Sequence, residues 1–285
     1  MVGLCTLVGA ISLAATTSAV AASTTKVTPG TAAAKPAGYT IVASGVFTAQ
    51  AGLEGLGTVT CPKTKGVQTY PLSGGALGSG DDLAENINSS WPTTKGWSVD
   101  MNNAGASAAE FQVYAVCAKK LSGYVLRKSK SVANPAGKEN EATYSCPSGD
   151  EIFGGGVFSA SSQTSVNIAS EWPSDDASWV VYVNNASGQA TSFHVYEICA
   201  KVNTSSTHYQ VVSGTVVSNP SDEETIAVEP CPSGLSVLSG GVVSSSLLTS
   251  VNLNSTYPES GEWVNYENNA STAGDDLTAF AVCAS

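Results

Sequence analysis

Three short segments, NINSSWP, NIASEWP and NLNSTYP, each bring an amide, a hydroxyl and a large aromatic ring close together in the chain. They align Asn86, Ser89 and Trp91 with Asn167, Ser170 and Trp172, and with Asn252, Ser255 and Tyr257. A second tryptophan follows each (Trp97, Trp179, Trp263), and six residues later stands another asparagine (Asn103, Asn185, Asn269). This set suits recognition of a neutral polyol such as a sugar: a flat ring stacks on C–H groups while amides and hydroxyls answer the ligand's hydroxyls. Trp91, Trp172 and Tyr257, each ahead of a proline at an expected strand end, are the aromatics expected at the surface. Asn103, Asn185 and Asn269 are the candidate polar contacts. The competing role is structural, because tryptophan packs cores and asparagine serves turns, where it tolerates a left-handed backbone.

Covalent chemistry is poorly provided for. The two histidines, His194 and His208, do not recur between copies: His194 aligns with Gln112 and Thr278, and His208 lies in a linker. A nucleophile needs a base to activate it, and no G-x-S-x-G elbow is present. No cysteines have C-x-x-C spacing, so zinc is disfavoured. Glycoside hydrolysis would need two carboxylates, and the pairs Asp81/Asp82, Asp175/Asp176 and Asp275/Asp276 fall at different places in their copies. Neighbours in a strand also point to opposite faces. These acids are expected in solvated loops, with Asp275 and Asp276 a weak calcium candidate. No catalytic residue and no cofactor is assigned. A carboxylate-dependent hydrolase in one diverged copy is the least favoured function.

The elements that must position the aromatic and amide groups come from a threefold repeat. Cys61, Cys146 and Cys231 are each followed by proline and preceded at 22 residues by a tyrosine, Tyr39, Tyr124 or Tyr209. Glycine pairs follow at Gly74-Gly75, Gly155-Gly156 and Gly240-Gly241, and each copy closes on Cys117, Cys199 or Cys283. The units are 39–121, 122–206 and 207–285. The glycine runs lead into strand-like segments and lack the Lys-Ser/Thr of a phosphate loop, so they are expected to mark bends or close passage of another backbone.

Each unit consists of short segments rich in β-branched and aromatic residues and bounded by Gly, Pro, Asn and Ser, with no sustained helical period. The class is all-β. In the last strand, AEFQVYAVCA, both faces are apolar, so sheets must lie on one another. A unit of about 80 residues buries a modest core and is expected to need a staple. Repetition selects Cys61–Cys117, Cys146–Cys199 and Cys231–Cys283, each worth roughly 4 kcal/mol in the chain-entropy picture.

Residues 1–23 are apolar, uncharged and close on an A-x-A pattern, as expected of a secretory signal. Residues 24–38 are expected to be a disordered linker. No later run is long and apolar enough to span a membrane. The expected localisation is extracellular. Only 12% of residues are charged, the formal net charge is -11, and no lysine or arginine follows Lys201. That excludes a nucleic-acid footprint. Sequons at Asn88, Asn185, Asn203, Asn254 and Asn269 carry weight only in a glycosylating host.

The pattern Cys-Pro-x-Gly, Gly-Gly, Ser-x-(Trp/Tyr)-Pro, Trp, Asn, aromatic-Ala-x-Cys-Ala resembles a repeat of secreted actinobacterial proteins of unassigned function, over residues 39–285. More faintly, the Cys-Pro-x-Gly opening and threefold repetition are similar to the vitelline-membrane outer-layer protein family, whose fold is a β-prism. This chain departs from that family in its longer cysteine spacing and its lack of the Asp-Asp-Thr motif. Two arrangements therefore stay open, a row of sandwich-like units and a pseudo-threefold, prism-like assembly. The expected function is non-enzymatic: binding of an extracellular or cell-envelope glycan, or service as a surface component. A secreted inhibitor of a foreign hydrolase, with a protein partner, is the alternative.

Overall fold

The computed structural model describes residues 35–79, 82–202 and 208–285. The expected signal, most of the linker, Asp81 and the Asn203 sequon lie outside them. The first repeat forms β1 (Thr40–Ala49), β2 (Leu53–Thr60), the short pair β3 (Lys63–Thr64) and β4 (Val67–Gln68), then β5 (Tyr70–Gly78), β6 (Glu85–Thr93), β7 (Gly96–Asn103) and β8 (Ala109–Ala118). The second forms β9 (Val125–Lys128), β10 (Val132–Asn134), β11 (Lys138–Ser145), β12 (Glu151–Ser159), β13 (Val166–Pro173), β14 (Ser178–Asn185) and β15 (Thr191–Ala200). The third forms β16 (Tyr209–Ser213), β17 (Val217–Asn219), β18 (Glu223–Pro230), β19 (Ser236–Ser244), β20 (Val251–Glu259), β21 (Glu262–Asn269) and β22 (Asp275–Ala284). The chain is all-β, with antiparallel pairing throughout, as its short, β-branched segments require.

Strand order decides between the two arrangements left open. The first sheet runs β1-β8-β5-β20-β21-β18; the second runs β10-β15-β12-β6-β7-β2, with β9 also on β15; the third runs β11-β14-β13-β19-β22-β16, with β17 on β22. Each repeat gives one half of its strands to one sheet and the other half to the next. Each sheet therefore joins two repeats, and the third repeat closes back on the first. This is a pseudo-threefold ring of three sheets, and the row of separate sandwiches is set aside. One hydrophobic cluster runs through all three repeats, with Trp97, Trp179 and Trp263 among its largest buried side chains.

The disulfides follow the expected pairing, Cys61–Cys117, Cys146–Cys199 and Cys231–Cys283. Each ties the end of a strand in one sheet to a strand in another, so it staples the two halves of a repeat that the ring pulls apart. The leading tyrosines do the complementary work between repeats. Tyr39 donates its hydroxyl to Val237 O (2.8 Å), Tyr124 to Pro71 O (2.9 Å) and Tyr209 to Ile152 O (2.5 Å), each reaching the preceding repeat around the ring.

The glycine pairs now divide their labour. A Cβ on Gly74, Gly155 or Gly240 would overlap the ring of Trp97, Trp179 or Trp263. A Cβ on Gly75, Gly156 or Gly241 would overlap the carbonyl of Thr256, Ser90 or Glu171, which belongs to the neighbouring repeat. The first glycine thus seats the core tryptophan and the second lets two repeats meet backbone to backbone, the close passage expected of glycine in a strand. Serine hydroxyls complete each meeting point: Ser159 N donates to Ser89 Oγ (3.0 Å), Ser244 N to Ser170 Oγ (3.0 Å) and Gly78 N to Ser255 Oγ (2.9 Å).

Candidate functional site

The asparagines expected to face a ligand are buried. Asn103, Asn185 and Asn269 are fully enclosed. Asn103 Nδ2 donates to Ala49 O (2.9 Å) and Ser107 O (2.7 Å), while its Oδ1 accepts from Gly105 N (2.9 Å). Asn185 and Asn269 repeat the arrangement with Asn134 O and Gln189 O, and with Asn219 O and Ala273 O. Each amide clamps the loop before a repeat's last strand onto the end of an opening strand, β1, β10 or β17. With donors and acceptor spent inside the fold, these residues hold turns and do not contact ligand. The sequons at Asn88, Asn185, Asn254 and Asn269 are buried as well.

The asparagine one place earlier carries the closure of the ring. Asn102 Nδ2 donates to Val166 O and Asn167 Oδ1, both at 2.8 Å. Asn184 donates to Val251 O (2.7 Å) and Asn252 Oδ1 (3.0 Å), and Asn268 to Glu85 O (2.9 Å) and Asn86 Oδ1 (3.1 Å). Repeat one thus holds two, two holds three, and three holds one. The shared Asn86, Asn167 and Asn252 of the opening motif are the acceptors of this chain of amides, which explains their recurrence without a ligand.

Asp275 and Asp276 form no cation cradle. The Asp275 carboxylate accepts from the Ser244 hydroxyl and from Asn269 Nδ2 (3.2 Å), whereas Asp276 is exposed on the other side of the strand. Among the described residues, the grouping with potential metal-ligand atoms close together is Cys146, Glu197 and Cys199, whose sulfurs are bonded to each other.

The aromatics behave differently from the amides. Trp91 and Trp172 are half-buried on the solvent side of their sheets, while Tyr257 is only 6% exposed and so does not stand free as expected. Its ring lies against Tyr114, centroids 5.2 Å apart. The structure assembles around each of the three a cluster drawn from two repeats. On the second sheet Trp91 meets Phe158 edge-on at 5.1 Å, with Tyr196 nearby on the neighbouring strand. On the third sheet Trp172 meets Tyr182 edge-on at 5.2 Å and Phe280 at 6.5 Å. On the first sheet Tyr257 supports Tyr114 and lies close to Tyr266. Phe158, Tyr196, Phe280, Tyr114, Tyr182 and Tyr266 are all half-buried. Sequence reading missed them as site residues, although Tyr114, Tyr196 and Phe280 occupy one position of the repeat and were visible as an aromatic at a fixed distance before the closing cysteine.

A threefold carboxylate was also missed. Glu54, Glu139 and Glu224 recur at 85-residue intervals and stand in register opposite Asn102, Asn184 and Asn268. Burial pushes Glu54 and Glu139 up to about 7, with Asp100 adding to the effect on Glu54 and Glu141 on Glu139. Asp100 itself is raised to about 6 by burial, offset by the Ser89 hydroxyl. Among the described residues, Glu54 Oε2, Glu139 Oε2, Asn102 Oδ1 and Asn184 Oδ1 are buried acceptors without a hydrogen-bond donor.

One corner of the ring departs from the other two. Trp97 Nε1 donates to Ser90 Oγ (2.9 Å) and Trp263 Nε1 to Thr256 Oγ1 (2.7 Å). The equivalent of those hydroxyl residues in the second repeat is Glu171, beside Trp179, raised to about 8 by burial, with Trp179 pulling it partly back. No protein-family model matches the chain, and no curated relative does.

Proposed function

We propose that the protein is an exported, non-enzymatic binding protein that holds an extracellular or cell-envelope polysaccharide against its three sheet faces. The observation that carries this reading is the half-exposed aromatic cluster on the solvent side of every sheet: Trp91 with Phe158 and Tyr196, Trp172 with Tyr182 and Phe280, and Tyr114 with Tyr266 over Tyr257. Rings on a flat, rigid sheet stack on sugar C–H faces with little ordering cost, and three weak sites on one body gain avidity along a polymer. Three disulfides suit an oxidising compartment, and among the described residues no helix is long and apolar enough to cross a membrane.

The test is a glycan array and polysaccharide pull-down on the secreted chain with Trp172→Ala, Phe280→Ala and Tyr114→Ala variants. Binding reduced by each substitution and nearly abolished by their combination is the expected result. Binding indifferent to all three would remove the site. One observation favours a second reading, a secreted inhibitor: the loop between β19 and β20 carries Leu247 77% and Leu248 46% exposed, where the second repeat has Ser162 and Gln163. Loss of inhibition of a co-incubated hydrolase on replacing both leucines by serine, with glycan binding absent, would select that reading instead.

A further inference from the structure

The three aromatic faces share a plan but differ in charge, and the difference falls on one of them. On the second sheet, Lys128 of β9 places its Nζ 5.8 Å from the Phe158 ring centre and 5.5 Å from that of Tyr196. Lys128 is exposed, and among the described residues the ion pair found is Arg127 with Glu197, so no carboxylate neutralises it. His194, in register with Phe158 on the adjacent strand, borders the same rings. The carboxylates of that sheet are Glu54, Glu85, Asp100, Glu151 and Glu197. Glu197 is paired with Arg127, and Asp100, in register with Ser89 next to the Trp91–Ser98 pair, is only 9% exposed. Lys128 stands open to solvent on the opposite side of the rings.

The other two faces are acidic. Glu141 is in register with Tyr182, and Asp175 and Asp176 line a shallow cavity with Phe280 on the third sheet. On the first sheet Glu259 stands beside Tyr257, and the third repeat, which supplies half of both sheets, contains no lysine or arginine at all.

A cation held over ring faces, with its remaining donors toward solvent, meets an anionic substituent on a sugar that is stacked on those rings. We infer that the second-sheet face takes an acidic polysaccharide, one bearing carboxylate or phosphodiester groups, with Lys128 on the anion and Trp91, Phe158 and Tyr196 under the sugar. The first- and third-sheet faces repel such a chain and accept a neutral or amino sugar. This rests on the aromatic faces being glycan sites.

The experiment is calorimetric titration of the full secreted chain with oligogalacturonate, with its methyl ester, and with poly(glycerol phosphate), in wild type, Lys128→Ala and Lys128→Glu. Lys128 is exposed, so neither variant disturbs the fold. The expected result is binding of at least one of the two anionic chains, weakened about tenfold or more by Lys128→Glu and by raised salt, with the methyl ester much weaker than the acid. Which anionic chain binds tells carboxylate from phosphate. Equal binding of acid and ester, or indifference to Lys128→Glu, overturns the inference. If neutral glycans bind through Trp172 while neither anionic chain binds, this inference alone fails. If no glycan binds at all, the reading beneath it fails too.

Discussion

The meeting points between repeats and the solvent faces of the sheets are built from the same strands, yet they differ in how strictly the three copies agree. At the meeting points, Gly75, Gly156 and Gly241 receive a neighbour's carbonyl, Ser89, Ser170 and Ser255 each accept one amide, and Asn102, Asn184 and Asn268 each hold the next repeat. On the faces, by contrast, tryptophan becomes tyrosine at 257, Leu77 and Val243 stand where Phe158 does, and Asp100 replaces the tyrosines at 182 and 266. A ring closes only if the turns at its joints add to a full circle, and backbone contacts of this closeness admit one residue type. A solvent face carries no such condition, so its residues are free to differ and to recognise different things.

The largest effect should come from a joint. Gly241→Val sets a branched side chain against the Glu171 carbonyl and should cost about 3 kcal/mol or more, read as loss of a cooperative thermal transition. Gly188→Ala, where open space surrounds the added methyl group, is the control and should leave the transition in place. If both variants melt alike, the joints are not what holds the ring.

Next comes the amide that closes the circle. Asn268→Ala leaves Asn86 Oδ1 without its donor and Glu85 O with that of Asn254 alone at the contact between third and first repeats, and should cost about 1–3 kcal/mol in denaturant unfolding. Asn102→Ala and Asn184→Ala should cost similar amounts. A value near zero for Asn268 alone would mean that the first and third repeats are held by something else.

A smaller effect separates the joints by pH. Glu54, Glu139 and Glu171 are raised above the ordinary carboxylate value of 4.5, so the folded state binds more protons than the unfolded chain between about pH 5 and 8. Stability from these groups is complete below about pH 4.5 and is lost as pH rises through 7 to 8, over the widest range for Glu171. The melting temperature should therefore fall across that window. Glu171→Gln should flatten the fall. Glu54→Gln, which removes a charge that burial and Asp100 disfavour, should raise the melting temperature at pH 8 and change it little at pH 5. A melting temperature that climbs from pH 5 to 8 would contradict the burial of these carboxyl groups in their protonated form.

The smallest effect on stability belongs to the faces. Trp172→Ala should lower stability by about 1–2 kcal/mol, since the ring is already partly in water, while removing glycan binding from its sheet. A larger loss of stability with binding intact would move Trp172 from the face to the core.

Much of this was legible from residue types and spacing. Cysteine, tyrosine and glycine recurred with a period that fixed three repeats, and loops of similar length selected the disulfide pairing, because a repeated unit makes the same local bonds each time. Sequence alone also marked the glycines as sites of a bend or of close backbone approach, and the structure selects close approach, since no other residue leaves that space. It did not reveal which copy approaches which. Hydrogen bonding along a strand edge is indifferent to the identity of the partner strand, and only the closed ring decides that β6 meets β12, β13 meets β19 and β20 meets β5. For the same reason Asn103 read as a surface amide until the tertiary structure buried it, and Phe158 and Tyr196 joined Trp91 only because two repeats share one sheet. The sequence determined the repeat, its staples and its all-β character through local geometry. Tertiary structure alone decided which residues face water, because burial depends on neighbours that lie far away in the chain.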